Sequence, residues 1–410
     1  MKAFVVADQP YYGAKDQGTL PGSRTLSTSS STQNRAIASP TSYIPGLDGI
    51  RAIAFLLVFW AHALPGVSYY IPATLGVTIF FFLSGYLITT LLRREFMATG
   101  NIALRDFYLR RALRIFVPLY VVYALAAAFA HFVQHESMGN VRGLFAMLFY
   151  YYNYAMALDV KAWVPLGMNV IWSLSVEEHF YILFPLLYLA LARSRIAKRK
   201  QTQLLILFCA LELLWRFVIV ASGHDQHLWT YYATDARLDS ILWGSLLALT
   251  NNPVFSRANG GEDRSILPSR HAMACFVGAL ILLVATLVPR SLVYRESLRY
   301  TVQAIALYAV FSFVIPNIQH WSVAWLEWKP LRYIGWISYV LYLCHDFILS
   351  AITRIWPDRF LLTGPLAFAL SITFATLIRY ALELPLQRLR ARLRHTPTVA
   401  PAPQQSSRIL

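Results

Sequence analysis

The sequence predicts an all-α polytopic membrane protein, a helical bundle with about ten transmembrane helices. Of its 410 residues, 57% are hydrophobic and only 14% are charged, whereas soluble domains carry about 25% charged residues. The mean hydropathy is +0.48. Apolar stretches of roughly 20 residues, the length that crosses a bilayer as a helix, recur along the chain between residues 47 and 384.

The two ends of the chain differ from its apolar centre. Residues 1–43 include the Ser/Thr-rich run TLSTSSST, and their only apolar patch, 3–7, is too short for a signal-peptide core. Residues 395–410 are rich in Pro, Gln and Ser. Such compositions cannot bury enough apolar surface to fold. We therefore predict two disordered tails, 1–43 and 395–410, on either side of a membrane domain at 44–394.

Ten apolar stretches qualify or nearly qualify as membrane spans: 47–66, 74–92, 114–134, 171–192, 203–222, 236–251, 271–289, 298–316, 334–354 and 360–384. The aromatic-rich segment 141–158 is ambiguous, and its composition suits a helix that lies at an interface or dips partway into the bilayer. An eleventh span there would break the alternation of basic loops, so ten is preferred.

The formal net charge of +16 would suggest nucleic acid as a partner of a soluble protein. In a membrane protein, retention of Lys and Arg on the cytoplasmic side explains it first. With ten spans, the basic segments all fall on one side: 93–114, 193–200, 257–270, 329–332 and 388–394. An exception on the other side is formed by Arg290, Arg295 and Arg299. We therefore predict both termini in the cytoplasm, membrane lipid as a partner and no nucleic acid.

The spacing of the cysteines and the lack of an internal repeat argue against several other classes of protein. Cys209, Cys275 and Cys344 are isolated in apolar runs, which argues against a disulfide framework or a structural zinc site. No metal is predicted. The chain also shows no internal repeat of fixed period, so the inverted-repeat signature of many transporters is missing.

Ionisable residues inside membrane segments are candidates for function. Arg51 and His62 lie eleven residues apart in the first predicted helix, and eleven steps of ~100° bring them to one face, ~16 Å apart along the axis. Alternatively, Arg51 reaches lipid headgroups and His62 lies at the interface. In the second helix, Ser84 and Gly85 are predicted to serve helix packing.

The third predicted helix opens with FYLRRALRIF. Arg111 and Arg114 are three residues apart and share a face, whereas Arg110 points elsewhere. The cluster either sets topology or forms a fork for phosphate, to which arginine is suited by bidentate geometry.

Three later helices carry further polar candidates. Glu177 and Glu178 lie ~100° apart near the start of the fourth helix, so at most one faces a given cavity. They are either catalytic or paired with an arginine of another helix. The other candidates are Trp172 in the fourth helix, Asp235, Arg237 and Asp239 at the sixth, and Tyr339, Tyr342, His345 and Asp346 in the ninth.

Taken in order, these segments resemble the signature blocks of the membrane-bound acyltransferase type 3 family. The seven blocks are LDGIRAIAFLLVFWAH (47–62), GVTIFFFLSGYLIT (76–89), FYLRRALRIF (107–116), WSLSVEEHFY (172–181), DARLDSILWG (235–244), LRYIGWISYVLYLCH (331–345) and LELPLQRLR (382–390). Together they cover the whole membrane region, from about residue 45 to residue 392.

The resemblance implies a ten-helix enzyme of a bacterial cytoplasmic membrane. Such an enzyme takes an acyl group, often acetyl, from acyl-coenzyme A to a hydroxyl of a glycan, a lipid-linked sugar or a glycosylated small molecule. His62 matches the family's essential histidine and Arg51 its partner. Arg111 and Arg114, with neighbouring Arg110, match the element tied to the acyl donor, and Glu177 and Glu178 match its carboxylates. We expect His62 to act as a base or a transient acyl carrier.

The sequence departs from many relatives in two respects. No SGNH-type esterase domain follows the last helix, so transfer is expected to reach the acceptor without that partner in cis. Cys344, His345 and Asp346 stand where relatives often carry tryptophans. The alternatives to an enzyme are a transporter that uses the same ionisable residues and a membrane scaffold or sensor with a regulated tail.

Overall fold

The computed structural model describes residues 43–392 except 65, 67–69, 71–72, 195, 224–225 and 259–267. The described residues are helical and include no strand. The helices are α1 (Leu47–Ala63), α2 (Ala73–Thr99), α3 (Leu104–Phe132), α4 (Val141–Leu148), α5 (Tyr152–Ala157), α6 (Ile171–Arg193), α7 (Lys198–Ser222), α8 (Gln226–Tyr232), α9 (Leu238–Thr250), α10 (Pro253–Ala258), α11 (Arg270–Ala285), α12 (Arg299–Val314), α13 (Trp321–Ala324), α14 (Lys329–Ile355), α15 (Phe360–Ile378) and α16 (Leu384–Arg392).

The all-α membrane class is confirmed, and each of the ten predicted stretches contains a helix. Within the described residues, seven helical segments are long and apolar enough to cross a membrane: Ala73–Thr99, Leu104–Phe132, Ile171–Arg193, Lys198–Ser222, Tyr294–Val314, Lys329–Ile355 and Phe360–Arg388. The other three, α1, α9 and α11, have 17, 13 and 16 residues and fall short of the roughly 20 that a perpendicular span requires. The count of ten is therefore approximate.

The ambiguous segment 141–158 forms two short helices instead of one long one. Helix α4 has eight residues and α5 has six, far fewer than a span requires. Between them, Tyr150 adopts a left-handed backbone conformation with φ 56°, which interrupts the helical path. The side chain of Asn140 caps α4 by accepting a hydrogen bond from the Gly143 N–H at 2.8 Å.

Helices α2 and α9 are in very close contact, and glycine makes this possible. A Cβ on Gly85 of α2 would collide with the backbone oxygen of Ile241, and a Cβ on Gly244 of α9 would collide with that of Phe82. Gly85 therefore has the packing role that the sequence predicts.

Helix α1 lies against both α2 and α14. Gly76 of α2 meets the Ala54 backbone oxygen, and Gly335 of α14 meets that of Asp48. The α1 side chains Phe55 and Phe59 are completely buried, and both rings contact the ring of His345 on α14. This close packing brings the two ends of the chain's membrane region together around the polar residues described below.

Candidate active site

A cavity of about 200 Å³ lies between α2, α3, α6 and α14. Its α2 wall extends from Val77 to Leu91, fourteen residues or ~21 Å at 1.5 Å per residue. The cavity is therefore long and narrow. The predicted site residues that line it are Arg51, Ser84, Arg111, Arg114, Glu177, Glu178, Tyr339 and Tyr342.

The two ends of the cavity differ in exposure. At one end, called here the closed end, Val77 is 4% exposed and Tyr342 is 8% exposed. The Tyr342 hydroxyl lies 2.8 Å from Ser173 Oγ, and the Phe80 ring packs edge-on against Tyr342 with centroids 5.7 Å apart. At the other end, called here the open end, Leu91 is 42% exposed.

Three polar side chains form a hydrogen-bonded chain across the middle of the cavity. The Tyr181 hydroxyl donates to Glu177 Oε2 at 2.6 Å and lies 2.9 Å from Ser84 Oγ. The guanidinium of Arg111 lies over the Tyr181 ring, 5.1 Å from its centroid. The Ser84 hydroxyl therefore lines the cavity and meets Tyr181 of α6, a contact beyond the helix packing that the sequence predicts.

The cavity arginines differ in their partners. Arg51 forms an ion pair with Asp48 at 3.2 Å. Arg111 and Arg114 form no salt bridge within the described part of the chain. Arg110 is not among the residues that line the cavity and is paired with Glu95 at 3.6 Å. Two guanidinium groups are thus available to bind an anion, in accord with the predicted shared face of Arg111 and Arg114.

The other predicted residues near the cavity have defined environments. Glu178 is buried, and its Oε1 has no hydrogen-bond partner among the described residues. The Tyr339 hydroxyl donates to the Ile115 carbonyl at 2.7 Å. Trp172 does not line the cavity but is buried behind Phe81, with ring centroids 6.3 Å apart.

His62 and His345 form a pair just beyond the closed end. The Nδ1 atom of His62 lies 3.1 Å from Nε2 of His345, and the two rings are nearly parallel with centroids 5.3 Å apart. His345 is completely buried, whereas the side chain of His62 is 33% exposed. Asp346 lies 4.0 Å from His62 Nδ1, where a carboxylate would stabilise an imidazolium.

The hydrogen bonds of this pair define which nitrogen of His62 is free. His345 Nδ1 lies 2.7 Å from the carbonyl oxygen of Tyr342, which can only accept, so this nitrogen carries a proton. In a neutral ring, Nε2 of His345 is then an acceptor, and His62 Nδ1 must donate to it. The Nε2 atom of His62 is left with a lone pair that can take up a proton.

Arg51 and His62 do not line the same cavity. Arg51 lines the cavity, whereas neither histidine of the pair is among the described residues that line it. Tyr342 lies between the cavity and the histidine pair, because its hydroxyl is at the closed end and its carbonyl oxygen binds His345. The sequence identifies Tyr342 as a candidate but does not predict its contact with Ser173, since nothing local reveals that the two residues meet.

Arg237 and Asp239 lie outside the cavity. Asp239 is bound to Arg216 at 2.7 Å and accepts a hydrogen bond from Thr301 at 2.6 Å. Arg237 is fully buried with its guanidinium 3.8 Å from the centroid of Tyr300. Asp239 thus belongs to a buried ionic network between helices α7, α9 and α12, whereas Arg237 donates to the Thr78 hydroxyl of α2 at 3.3 Å. Neither residue lines the cavity.

Metal ligands are not clustered in the described ranges, which contain no group of three or more His, Cys, Asp or Glu side chains able to hold a metal ion.

Comparison with known proteins identifies relatives across this region. A Staphylococcus aureus (strain COL) protein whose name proposes an O-acetyltransferase is 30% identical over 325 residues, 77% of this chain and 52% of that protein. The peptidoglycan O-acetyltransferase OatA of Listeria monocytogenes is 28% identical over 330 residues, 76% of this chain and 50% of the relative. A Bacillus subtilis (strain 168) protein whose name proposes a peptidoglycan O-acetyltransferase is 30% identical over 320 residues, 74% and 48% of the two chains.

The chain spans about half the length of the curated relatives it matches. No solved structure shows significant similarity to it. Residues 44–380 match the acyltransferase 3 family, described as an acyltransferase domain. Because this match covers most of the chain and includes six of the seven blocks in full, the chain belongs to the membrane-bound acyltransferase type 3 family, as the blocks predict.

Proposed function

We propose that the protein is a membrane O-acyltransferase that moves an acetyl group from acetyl-coenzyme A to a hydroxyl of a carbohydrate acceptor. Family membership and the names of its relatives support this proposal. The strongest structural support for the proposal is the position of Tyr342. Its hydroxyl ends a cavity in which Arg111 and Arg114 have no salt bridge among the described residues, and its carbonyl oxygen binds His345 beside His62.

The donor enters from the open end of the cavity. Arg111 and Arg114 bind its phosphates, since arginine forms strong charge-assisted hydrogen bonds with phosphate. The pantetheine arm then extends along α2 past Phe80 and Phe81 towards the closed end. The thioester arrives beside the hydroxyls of Tyr342 and Ser173, which can donate hydrogen bonds to an oxyanion.

His62 acts on the acceptor. Its Nε2 removes the proton of the acceptor hydroxyl, and the oxygen attacks the thioester carbonyl. The carbon–sulfur bond breaks as the ester forms, and the coenzyme A thiolate takes the proton back from His62. Asp346 stabilises the intermediate imidazolium, and His345 keeps His62 in the tautomer that leaves Nε2 free.

Access to His62 requires movement at the closed end. The Tyr342 and Phe80 side chains stand between the cavity and the histidine pair, so one of them rotates before the thioester reaches His62. In an alternative order of bond making, His62 Nε2 first accepts the acyl group and then transfers it to the acceptor. Both routes yield the same ester and coenzyme A.

The acceptor lies on the side of the membrane opposite to the donor. The open end of the cavity precedes the basic segment 93–114, which favours the cytoplasm, and coenzyme A is a cytoplasmic donor. His62 is near the C-terminal end of α1, whereas the cavity-lining residue Arg51 is near its N-terminal end. Two relatives have names that refer to peptidoglycan, which supports a cell-wall glycan as the acceptor class.

A substitution at His62 tests the function. His62→Gln keeps a side-chain N–H that can donate to His345 but removes the group that takes up a proton. General bases contribute about 100- to 10,000-fold, so we expect acetyl transfer from labelled acetyl-coenzyme A to fall by at least 100-fold in purified protein. Thermal stability should stay near that of wild type.

The matched control is His131→Gln, because His131 is exposed at the end of α3 and is not part of the histidine pair. It should retain full transfer. Activity of the His62→Gln variant within about threefold of wild type would show that His62 is structural and that another group, such as Glu177, is the base.

A further inference from the structure

The open end of the cavity contains three side chains that the reaction described above does not use: Trp336, Arg379 and Glu383. The guanidinium of Arg379 lies over the indole of Trp336, 4.2 Å from its centroid, and forms a close ion pair with Glu383. Trp336 is 36% exposed. These three residues are called here the entrance cluster.

The backbone beneath the entrance cluster is unusual. Arg379–Glu383 forms a single π-helical turn between α15 and α16, and Glu383 belongs to the block LELPLQRLR, to which the proposed reaction assigns no role. Such turns are rare and occur frequently at functional sites. The π-helical turn supplies both charged members of the cluster to the cavity wall.

One hydrogen-bond donor of the entrance cluster has no partner among the described residues. The Nε atom of Arg379 is buried and has no hydrogen-bond partner among the described residues. A buried polar group usually has a partner, and leaving it without one costs free energy. The cluster therefore offers a flat π surface, an unpaired N–H donor and a carboxylate acceptor.

This combination of groups fits a purine base. Bases stack on tryptophan and on arginine planes, an N–H donor matches a ring nitrogen, and a carboxylate accepts from an exocyclic amine. We propose that the entrance cluster is the adenine subsite of the donor, with Trp336 as its stacking platform. This inference rests on the proposed function, because it names the part of acetyl-coenzyme A that binds at the open end.

The order of groups along the cavity is consistent with this assignment. Trp336 precedes Tyr342 by six residues of α14, or ~9 Å along the helix axis, and therefore lies away from the closed end, where Tyr342 meets Ser173. Arg111 lies beside Tyr181. Base, phosphates and thioester follow the same order in the donor. A tryptophan that only anchored the protein at the lipid interface would have no reason to line this cavity.

Truncated ligands test the subsite in purified full-length protein. Trp336→Ala should raise KM for acetyl-coenzyme A by about five- to a hundred-fold, the range for loss of one stacked base. The KM for acetyl-pantetheine, which lacks the nucleotide, should change less than twofold. The inhibition constant of adenosine 3′,5′-bisphosphate against acetyl-coenzyme A should rise in parallel with the KM for acetyl-coenzyme A.

The matched control is Trp328→Ala, because Trp328 precedes α14, is 65% exposed and does not line the cavity. It should leave all three constants near wild type. Equal rises of KM for both donors, or an unchanged inhibition constant for the bisphosphate, would overturn the adenine subsite while the proposed function stands. A wild-type protein that uses neither donor would overturn both.

Discussion

Neighbouring residues on α3 have very different surroundings. Arg110 lies outside the cavity, is 41% exposed in its side chain and is paired with Glu95. Arg111 faces the cavity and lies over the Tyr181 ring. Because successive residues of a helix are ~100° apart, one step along the chain separates a surface ion pair from a candidate phosphate ligand.

This contrast defines a paired experiment on the donor site. Arg111→Ala should raise KM for acetyl-coenzyme A by roughly ten- to a hundred-fold, because it removes a charge-assisted contact worth about 1.5–3 kcal/mol. The KM for the acceptor should change much less. Arg110→Ala removes the same charge from the adjacent position and should leave both constants near wild type in steady-state assays.

Two results would count against this assignment. If Arg111→Ala inserts correctly and its donor KM is unchanged, the arginines serve only topology. If Arg110→Ala has as large an effect as Arg111→Ala, general positive charge matters more than a defined contact. The sequence predicts the shared face of Arg111 and Arg114 because helical periodicity is local, but it cannot predict that Tyr181 of another helix lies beneath Arg111.

Among the helices, the contact of α2 with α9 holds one wall of the cavity. Ser84 faces the cavity, and its neighbour Gly85, ~100° around the helix, meets Ile241 of α9. A shift of α2 away from α9 would therefore alter the cavity directly. Of this adjacent pair, Ser84 lines the cavity and Gly85 allows the close packing of α2 against α9.

Glycine-to-alanine substitutions should distinguish the effect of helix–helix packing from the effect of helix propensity. Gly85→Ala places a methyl group against the Ile241 backbone oxygen, and such overpacking costs about 1–3 kcal/mol. We expect a lower midpoint of thermal unfolding in detergent, followed by circular dichroism, and reduced acetyl transfer.

Gly278→Ala is the control, because Gly278 is in α11 and nothing lies within 4 Å of its added Cβ. Its midpoint should stay the same or rise slightly, since alanine favours helix by about 1 kcal/mol over glycine. Equal midpoints for the two variants would mean that α2 and α9 can separate at no cost.

The orientation of the whole molecule determines which compartment supplies the donor. The basic segments 93–114 and 193–200 are on the side of the open end if the helices alternate. The loop that follows α3 is then on the other side. Under the proposed function, this arrangement would give the entrance cluster access to cytoplasmic coenzyme A and His62 access to an external glycan.

Labelling with a membrane-impermeant maleimide in intact cells checks this orientation. Ser137 and Lys198 are both exposed on the loops concerned, and the parent should carry Cys275→Ser because Cys275 is exposed. We expect Ser137→Cys to react and Lys198→Cys to react only after permeabilisation. The opposite pattern would reverse the topology and contradict the proposed side of donor entry.

The sequence by itself determined the membrane class, the approximate number of helices and the family. These properties are local, because lipid requires long apolar runs with internally satisfied backbones, and family blocks are contiguous in the chain. Faces within one helix, such as that of Arg111 and Arg114, are also local. Their prediction needs only the period of 3.6 residues per turn.

Only the tertiary structure decided which candidates share a site. His62 meets His345 across 283 positions of sequence, Tyr342 stands between the pair and the cavity, and Arg379 stacks on Trp336. Asp239, by contrast, is bound to Arg216 in a separate network. The crossing and rotation of packed helices determine these contacts. They depend on how side chains of distant segments interdigitate, and no local pattern in the chain carries that information.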